Sequence, residues 1–201
     1  MNKFLDTSII IGYAHNEEKF VFFVKNKKEE FIVCYFVLDK DIPSLIKRMR
    51  IIINEVKKQA PNFKKLLENK DIYKQDLFRA EKLLAIKEIL VKKGFDVNKG
   101  LDKIQEIFEF RIDFFVQNLI NKKVIAIKEI NFELKSSLFT YTKNHSDANI
   151  LASGIQYHQE KEIVLVTSDR QDWTKDNLEW ALPEFSDLRK KYPRIPEIEY
   201  V

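Results

Sequence analysis

The 201-residue sequence predicts an α/β protein: a parallel sheet of four or five strands flanked by helices. Three segments are apolar at nearly every position, which is typical of strands buried on both faces. They lie at Lys3–Leu5, Phe31–Leu38 and Ile163–Val166. Most of the remaining chain has apolar residues at helical spacing, so strands and helices alternate. Only four glycines and five prolines occur, which favours long helices over tight turns.

The first strand is short and is followed by a helix start. Lys3–Leu5 is succeeded by Asp6-Thr7-Ser8, a cluster typical of a helix N-cap. We therefore expect a helix through Ile9–Tyr13. The next segment, Lys19–Lys28, contains an apolar stretch with neither a helical nor a strand period, and its structure stays open.

The second strand is the clearest one. Phe31–Leu38 is rich in β-branched and aromatic residues and has charged residues at both ends. Asp39-Lys40-Asp41 follows it. Pro43 is tolerated only in the first turn of a helix, so Asp41 is the best cap for the next helix.

Residues from about 43 to 123 have apolar positions at helical spacing, and we predict that they form an all-helical insertion within a single domain of residues 1–201. Pro61 should end its first helix, and a second should run from about Asn62 to Lys93, with a break near Asn69–Asp71. Gly94 is the expected residue just past the end of that helix. The third helix carries a stripe at steps of three and four residues, which predicts a buried face: Leu101, Ile104, Phe108, Ile112, Phe115 and Leu119.

After Asn121 the periodicity changes again. Val124–Ile127 is compatible with a short strand or an extended loop, and Asn131–Thr142 should be helical. Asn144-His145-Ser146-Asp147 should cap a further helix. Ile163–Val166 then forms a buried strand that ends at Thr167-Ser168-Asp169. From Trp173 onward, three prolines and mixed polarity predict a loop-rich tail.

Composition excludes several classes of protein. The apolar fraction of 45% excludes a disordered chain, and a single cysteine excludes a disulfide scaffold or a cysteine-rich zinc site. No apolar run approaches the length of about 18 residues that a membrane-spanning helix needs. The acid in the first apolar run is unlike a signal peptide, so we expect a cytoplasmic protein without a membrane partner. A net charge of +4 permits a polyanionic partner without requiring one.

Acidic residues follow all three predicted strands. Asp6, the Asp39-Lys40-Asp41 segment and Asp169 stand at these ends, and the carboxyl ends of parallel strands form the usual ligand-binding edge of such a sheet. Carboxylates crowded there repel one another unless a cation lies among them. Hard oxygen ligands suit Mg²⁺ or Mn²⁺, and such sites support displacement at phosphorus by an activated water.

Each acid also has a simpler interpretation. Asp6, Asp41 and Asp147 each stand where a helix N-cap is expected. Asp172 is equally compatible with a solvated turn. Asp169 is harder to explain in this way, because a charge at the end of a buried strand needs a partner.

The sequence resembles the PIN-domain ribonuclease family in three stretches. These are Phe4-Leu5-Asp6-Thr7-Ser8, the segment Ser146–Gly154 that begins Ser-Asp-Ala-Asn, and Val164–Asp169 followed by Asp172-Trp173. The family has an aspartate and a small polar residue after strand one, an aspartate opening a later helix, and a strand ending in Thr-x-Asp. The stretches lie near the two ends of the chain, and the middle has no counterpart.

The resemblance implies a metal-dependent endoribonuclease that cuts single-stranded RNA. Asp6, Asp147 and Asp169 would hold Mg²⁺ or Mn²⁺, with Asp172 and Asp41 completing or orienting that set. Ser8 or Thr167 would hydrogen-bond a carboxylate or the attacking water. Residues near the acids would contact backbone phosphates: Lys143, His145, Arg170 and Lys175.

Two departures from the family leave alternatives open. The family's second acid is a glutamate, for which this chain offers Asp41, or Asp39 as runner-up. The helical insertion is also longer than in compact members. A PIN-like interaction or scaffold protein without activity is one alternative, and a metal-dependent DNase is another. Many relatives are toxins, which implies an antitoxin partner, and a homo-oligomer is a further expectation.

Overall fold

The computed structural model describes residues 2–26, 28–58 and 76–201. It contains a five-stranded, all-parallel sheet flanked by helices, with strand order β3-β2-β1-β4-β5. The predicted α/β class and parallel sheet are therefore confirmed. The strands are β1 (Asn2–Leu5), β2 (Phe31–Cys34), β3 (Ile120–Val124), β4 (Ile163–Thr167) and β5 (Glu197–Tyr200).

Helices connect the strands in chain order. Before the second strand lie α1 (Thr7–Ala14) and α2 (Glu18–Lys25), and after it lie α3 (Ile42–Lys58), α4 (Leu77–Lys92) and α5 (Val97–Asn118). The C-terminal third adds α6 (Phe132–Thr142), α7 (His145–Glu160), α8 (Lys175–Ala181) and α9 (Asp187–Lys191). The open segment Lys19–Lys28 is thus mainly helical.

Side-chain caps explain several helix starts. The side chain of Asn131 accepts the backbone N–H of Leu134, and that of Asn144 accepts the N–H of Ser146. Asn144, not Asp147, is therefore the N-cap of α7. At the C-terminal end of α4, Gly94 follows the C-cap residue with a φ of 70°, as predicted.

The chain divides into two compact units. One consists of Met1–Ile42 together with Ile112–Val201 and contains the sheet, and the other is Pro43–Arg111. The predicted insertion of about 43–123 overlaps the second unit but runs past it, because Ile120–Val124 is a strand of the sheet. The expected end at Pro61 and the second helix's expected start and break, residues 62–71, lie outside the described residues.

The core of the first unit lies between the sheet and its helices. Phe4, Leu5, Ile32 and Leu165 are fully buried. A Cβ on Gly154 of α7 would lie 2.5 Å from the Leu165 side chain, so glycine allows this helix to approach β4 closely. Among the described residues, no helix is both long enough and apolar enough to span a membrane.

Two predicted segments differ from the structure. β2 ends at Cys34, and residues 35–41 are helical, with a π-helical turn at Val37–Asp41. The expected loop-rich tail after Trp173 contains two helices and β5, which pairs with β4.

Candidate metal centre

The carboxyl ends of β1 and β4 meet at one edge of the sheet. Leu5 is in register with Val166, and the backbone N–H of Asp6 donates to the Val166 carbonyl at 2.9 Å. Asp6 and the loop that follows Thr167 therefore leave the sheet side by side. This edge is where ligands bind in open parallel sheets.

Three carboxylates gather at this edge. Asp147 lies in the first turn of α7, and Asp169 and Asp172 lie in the loop after β4. One carboxylate oxygen from each can be chosen so that all three lie within 4.8 Å of one another. Asp147 is buried and the other two are half-buried. We call these three residues the acidic cluster.

Asp6 is buried next to the acidic cluster but is not a member of that group. Its side chain is 5% exposed. Its Oδ2 accepts hydrogen bonds from the Ser8 hydroxyl at 2.6 Å and from the Thr167 hydroxyl at 2.8 Å. Although Asp6 occupies the N-cap position of α1, its side chain makes no capping hydrogen bond. The carboxylate thus joins the Ser8 side chain of α1 to the Thr167 side chain at the end of β4.

The same two hydroxyls also fix the loop that carries Asp169. Ser8 Oγ accepts the backbone N–H of Ser168 at 3.1 Å, and Thr167 Oγ1 accepts that of Asp169 at 3.0 Å. Asp169 Oδ1 in turn accepts the N–H of Asp172 at 3.0 Å. Ser8 and Thr167 therefore connect the buried Asp6 to the backbone of the acidic cluster.

Trp173 is a site residue to which sequence reasoning assigns no role. Its side chain is fully buried, and its Nε1–H donates to Asp147 Oδ1 at 3.1 Å. Its carbonyl accepts the Tyr200 hydroxyl of β5 at 2.6 Å. The only sequence signal is the aromatic residue directly after Asp172, which the PIN resemblance includes without assigning it a contact.

Asp41 is not at a strand end, since β2 stops seven residues before it. It lies in the π-helical turn before α3, where its Oδ2 accepts hydrogen bonds from the Thr7 hydroxyl at 2.8 Å and from the Ser146 hydroxyl. Asp41 therefore connects the starts of α1 and α7. Asp39, the runner-up for the second acid, is exposed and lies outside the acidic cluster.

Electrostatics distinguish these acids from ordinary surface aspartates. Burial raises the pKa of Asp147 to about 7, and the charge of Asp6 adds to this. Burial likewise raises the pKa of Asp6, opposed by the hydrogen bonds from Ser8 and Thr167. The pKa of Asp172 is raised by burial and then by the Asp169 charge. A bound cation would relieve this crowding of negative charge.

The four predicted phosphate-binding residues are all exposed in segments next to these acids. Lys143 ends α6 in a left-handed conformation, with a φ of 53°. His145 stacks on Phe139 with ring centroids 4.0 Å apart. Arg170 lies over the Tyr200 ring, 5.2 Å from its centroid, and Lys175 is 3.6 Å from Glu179. Each is accessible to a ligand in solution.

We expect Thr167→Val to destabilise the protein by about 2–3 kcal/mol, although valine matches threonine in shape. The change removes a donor from the buried Asp6 carboxylate and an acceptor from the Asp169 N–H, and buried groups left unpaired cost about 1–3 kcal/mol. The loss should grow as the pH rises through the pKa of Asp6, which burial raises, because ionised Asp6 needs the donor most. Urea unfolding over a series of pH values measures it.

Thr142→Val is the matched control for this change. Thr142 is also buried, at 3% exposed, but its hydroxyl makes long contacts of 3.3 and 3.4 Å to the Asn144 backbone. We expect it to cost less than about 1 kcal/mol. Equal losses in the two variants would mean that the Thr167 hydroxyl does not connect Asp6 to the loop.

No protein family, curated protein or solved structure matches this chain. The PIN resemblance therefore depends on the three short stretches quoted above.

Proposed function

We propose that the chain is a PIN-like, divalent-metal-dependent endoribonuclease that hydrolyses single-stranded RNA. The observation that carries the proposal is the acidic cluster, whose three carboxylates can place oxygens within 4.8 Å of one another at the carboxyl edge of a parallel sheet. Ligands bind at this edge in folds of this class.

The donor set fits a hard divalent cation. Asp147, Asp169 and Asp172 offer carboxylate oxygens without a histidine or cysteine, which suits Mg²⁺ or Mn²⁺ rather than zinc or copper. Burial raises the pKa of Asp147 to about 7, and the charges of Asp6, Asp169 and Asp172 add to this. Asp6 adds a further negative charge close by.

A cation held by the acidic cluster would lower the pKa of a bound water and neutralise charge on the phosphate. The protein's own residues then have separate roles. Asp147, Asp169 and Asp172 hold the cation, and Trp173 fixes the orientation of Asp147 through its Nε1–H. Ser8 and Thr167 hold Asp6 and the loop in place. Asp41 positions the start of α7, which carries Asp147.

A nucleic acid is the proposed substrate because basic side chains lie next to the acids of the site. Lys143, His145, Arg170 and Lys175 are exposed on the segments that carry the acidic cluster. A phosphate backbone laid across this edge would meet basic side chains next to the acidic cluster. The preference for RNA over DNA comes from the PIN resemblance, as does the proposal of an antitoxin partner.

A cleavage assay tests this function. End-labelled single-stranded RNA is incubated with the protein and Mn²⁺ or Mg²⁺, with single-stranded DNA of the same sequence in parallel. We expect internal cleavage of the RNA that stops when EDTA removes the metal. Cleavage that persists in EDTA would contradict the proposal, because it would not depend on a divalent metal, and cleavage of DNA alone would support the DNase alternative.

One observation favours the scaffold alternative. Asp41, the substitute for the family's second acid, has its Oδ2 bound by the hydroxyls of Thr7 and Ser146, so that oxygen is engaged in holding the fold. An inactive protein would keep this network and show no cleavage of either nucleic acid with either metal. The same assay therefore separates the two functions.

A further inference from the structure

Two exposed aromatic side chains contact one another next to the elements that carry the acidic cluster. Tyr141 is in the last turn of α6 and Trp180 in the last turn of α8, with ring centroids 6.1 Å apart and planes inclined at 41°. Their exposed fractions are 37% and 57%. The rings are therefore in contact but still present open faces to solvent. We call these two residues the aromatic pair.

The position of the aromatic pair links it to the acidic cluster. α6 leads through Lys143 and Asn144 into α7, whose first turn holds Asp147. α8 begins at Lys175, directly after the loop that holds Asp169 and Asp172. Along α8, Trp180 lies five residues past that start, or about 8 Å at the rise of an α-helix. The Ser137 hydroxyl donates to the Ala181 carbonyl at 2.7 Å and holds α6 against α8.

Basic side chains lie between the aromatic pair and the acidic cluster along the chain, and they would attract a polyanion. Lys143 is exposed at the end of α6, and Lys175 is exposed at the start of α8, where its Nζ lies 3.6 Å from Glu179 Oε1. A strand whose phosphate reaches the acidic cluster would pass these cations on its way to the two rings. Exposed rings beside a cationic path are the usual way in which proteins bind unpaired bases, because every base has a face that can stack.

We infer that Tyr141 and Trp180 form a stacking surface for unpaired bases of the strand whose phosphate reaches the acidic cluster. The inference deepens the proposed function and rests on it for the location of the cleaved bond. It assigns the substrate as single-stranded, since the bases of a duplex are stacked on one another and cannot lie on a protein ring. It also predicts little sequence preference.

Tryptophan fluorescence tests the inference directly. The chain has two tryptophans; Trp173 is fully buried against Asp147 and Trp180 is 57% exposed, so a base can stack only on Trp180, and quenching that is lost in Trp180→Phe reports on that stacking. Oligoadenylate is added to the wild-type protein in EDTA, where no cleavage is expected. Quenching that saturates is the expected result. Binding without quenching, or no binding, overturns the inference.

Variants give the second readout, the anisotropy of a labelled oligoadenylate. We expect Trp180→Ala to weaken binding about ten-fold or more, and Trp180→Phe to keep most of the affinity because a ring remains. Phe22→Ala, which removes a 71% exposed ring from α2, should have no effect. A duplex that binds as tightly as the single strand, or unchanged binding by Trp180→Ala, overturns the inference.

The outcomes separate this inference from the proposed function. Metal-dependent cleavage with a KM that Trp180→Ala leaves unchanged would keep the nuclease and remove the stacking surface. Quenching and weakened binding without any cleavage would keep the stacking surface and remove the nuclease.

Discussion

Asp147→Asn and Asp169→Asn are each expected to lower the rate of metal-dependent RNA cleavage by at least about 100-fold. Each change replaces a charged oxygen donor by a neutral one in a group of three. A metal contributes several kcal/mol to stabilising charge in the transition state, and each 1.36 kcal/mol is a factor of ten in rate. Initial rates at saturating Mn²⁺ and at a range of Mn²⁺ concentrations separate weak metal binding from a defective site.

In the absence of metal, Asp147→Asn should make the folded protein more stable, although it lowers the cleavage rate. The pKa of Asp147 rises from 3.8 to about 7 on folding, so the folded state binds the proton more tightly than the unfolded state. Stability therefore falls as pH increases from about 4 to 7, and the full penalty is present above pH 7. The asparagine side chain of Asp147→Asn cannot ionise and still offers an oxygen to the Trp173 Nε1–H. The melting temperature of this variant should thus exceed that of wild type more at pH 8 than at pH 5.

Asp113→Asn is the matched control for both measurements. Asp113 is exposed on α5 and lies outside the acidic cluster. The Asp113→Asn substitution should leave the cleavage rate and the melting temperature unchanged. Cleavage retained by both cluster variants would contradict the metal centre. A wild-type melting temperature that Mn²⁺ does not raise would support the scaffold alternative, because a cation that binds the folded state must stabilise it.

The three central strands of the sheet could be predicted because they are mainly apolar and buried. Phe4, Leu5 and the whole of β4 are buried, so their burial leaves a continuous apolar run in the sequence. β3, with sequence Ile-Asn-Lys-Lys-Val, is an edge strand with three exposed residues, and its burial pattern leaves no such run. The sequence accordingly predicts only a strand or a loop, at Val124–Ile127, whereas the strand is Ile120–Val124.

Hydropathy could not show where β2 ends. Cys34, Tyr35 and Phe36 are all apolar, yet the first ends the strand and the other two are helical. A buried strand and a buried helical turn have the same composition over so short a length. The apolar run therefore predicts a strand end before Asp39 and Asp41, whereas the structure places both in a π-helical turn, which local sequence does not signal.

The site could be predicted only in part, because some of its contacts join residues that are far apart in the sequence. Asp169 and Asp172 are in one loop, and three residues of separation already suggest proximity. The hydrogen bonds of Trp173 to Asp147 and of Ser146 to Asp41 join residues 26 and 105 positions apart. Such contacts depend on how α7 packs against the sheet, which no local pattern encodes. The metal-binding role of Asp6, Asp147, Asp169 and Asp172 itself stays a prediction.

Phe108→Ala is expected to destabilise the protein by about 3–5 kcal/mol. The stripe on α5 has a buried face: Leu101, Phe108, Ile112 and Phe115 are at most 3% exposed. Removing a buried phenylalanine loses its transfer free energy and leaves a cavity that its neighbours fill only in part. The midpoint of urea unfolding, followed by far-UV circular dichroism, should fall without a change in slope.

Phe110→Ala makes this prediction specific to the buried face. Phe110 lies two residues further along the same helix, in the same compact unit, and its ring is 67% exposed. Removing a largely solvated ring loses little burial, and alanine has the higher helix propensity, so we expect a change below about 1 kcal/mol. Because both residues belong to Pro43–Arg111, the comparison holds even if this unit unfolds in a transition of its own. A loss at Phe108 no larger than that at Phe110 would mean that the buried face of α5 has been assigned to the wrong side.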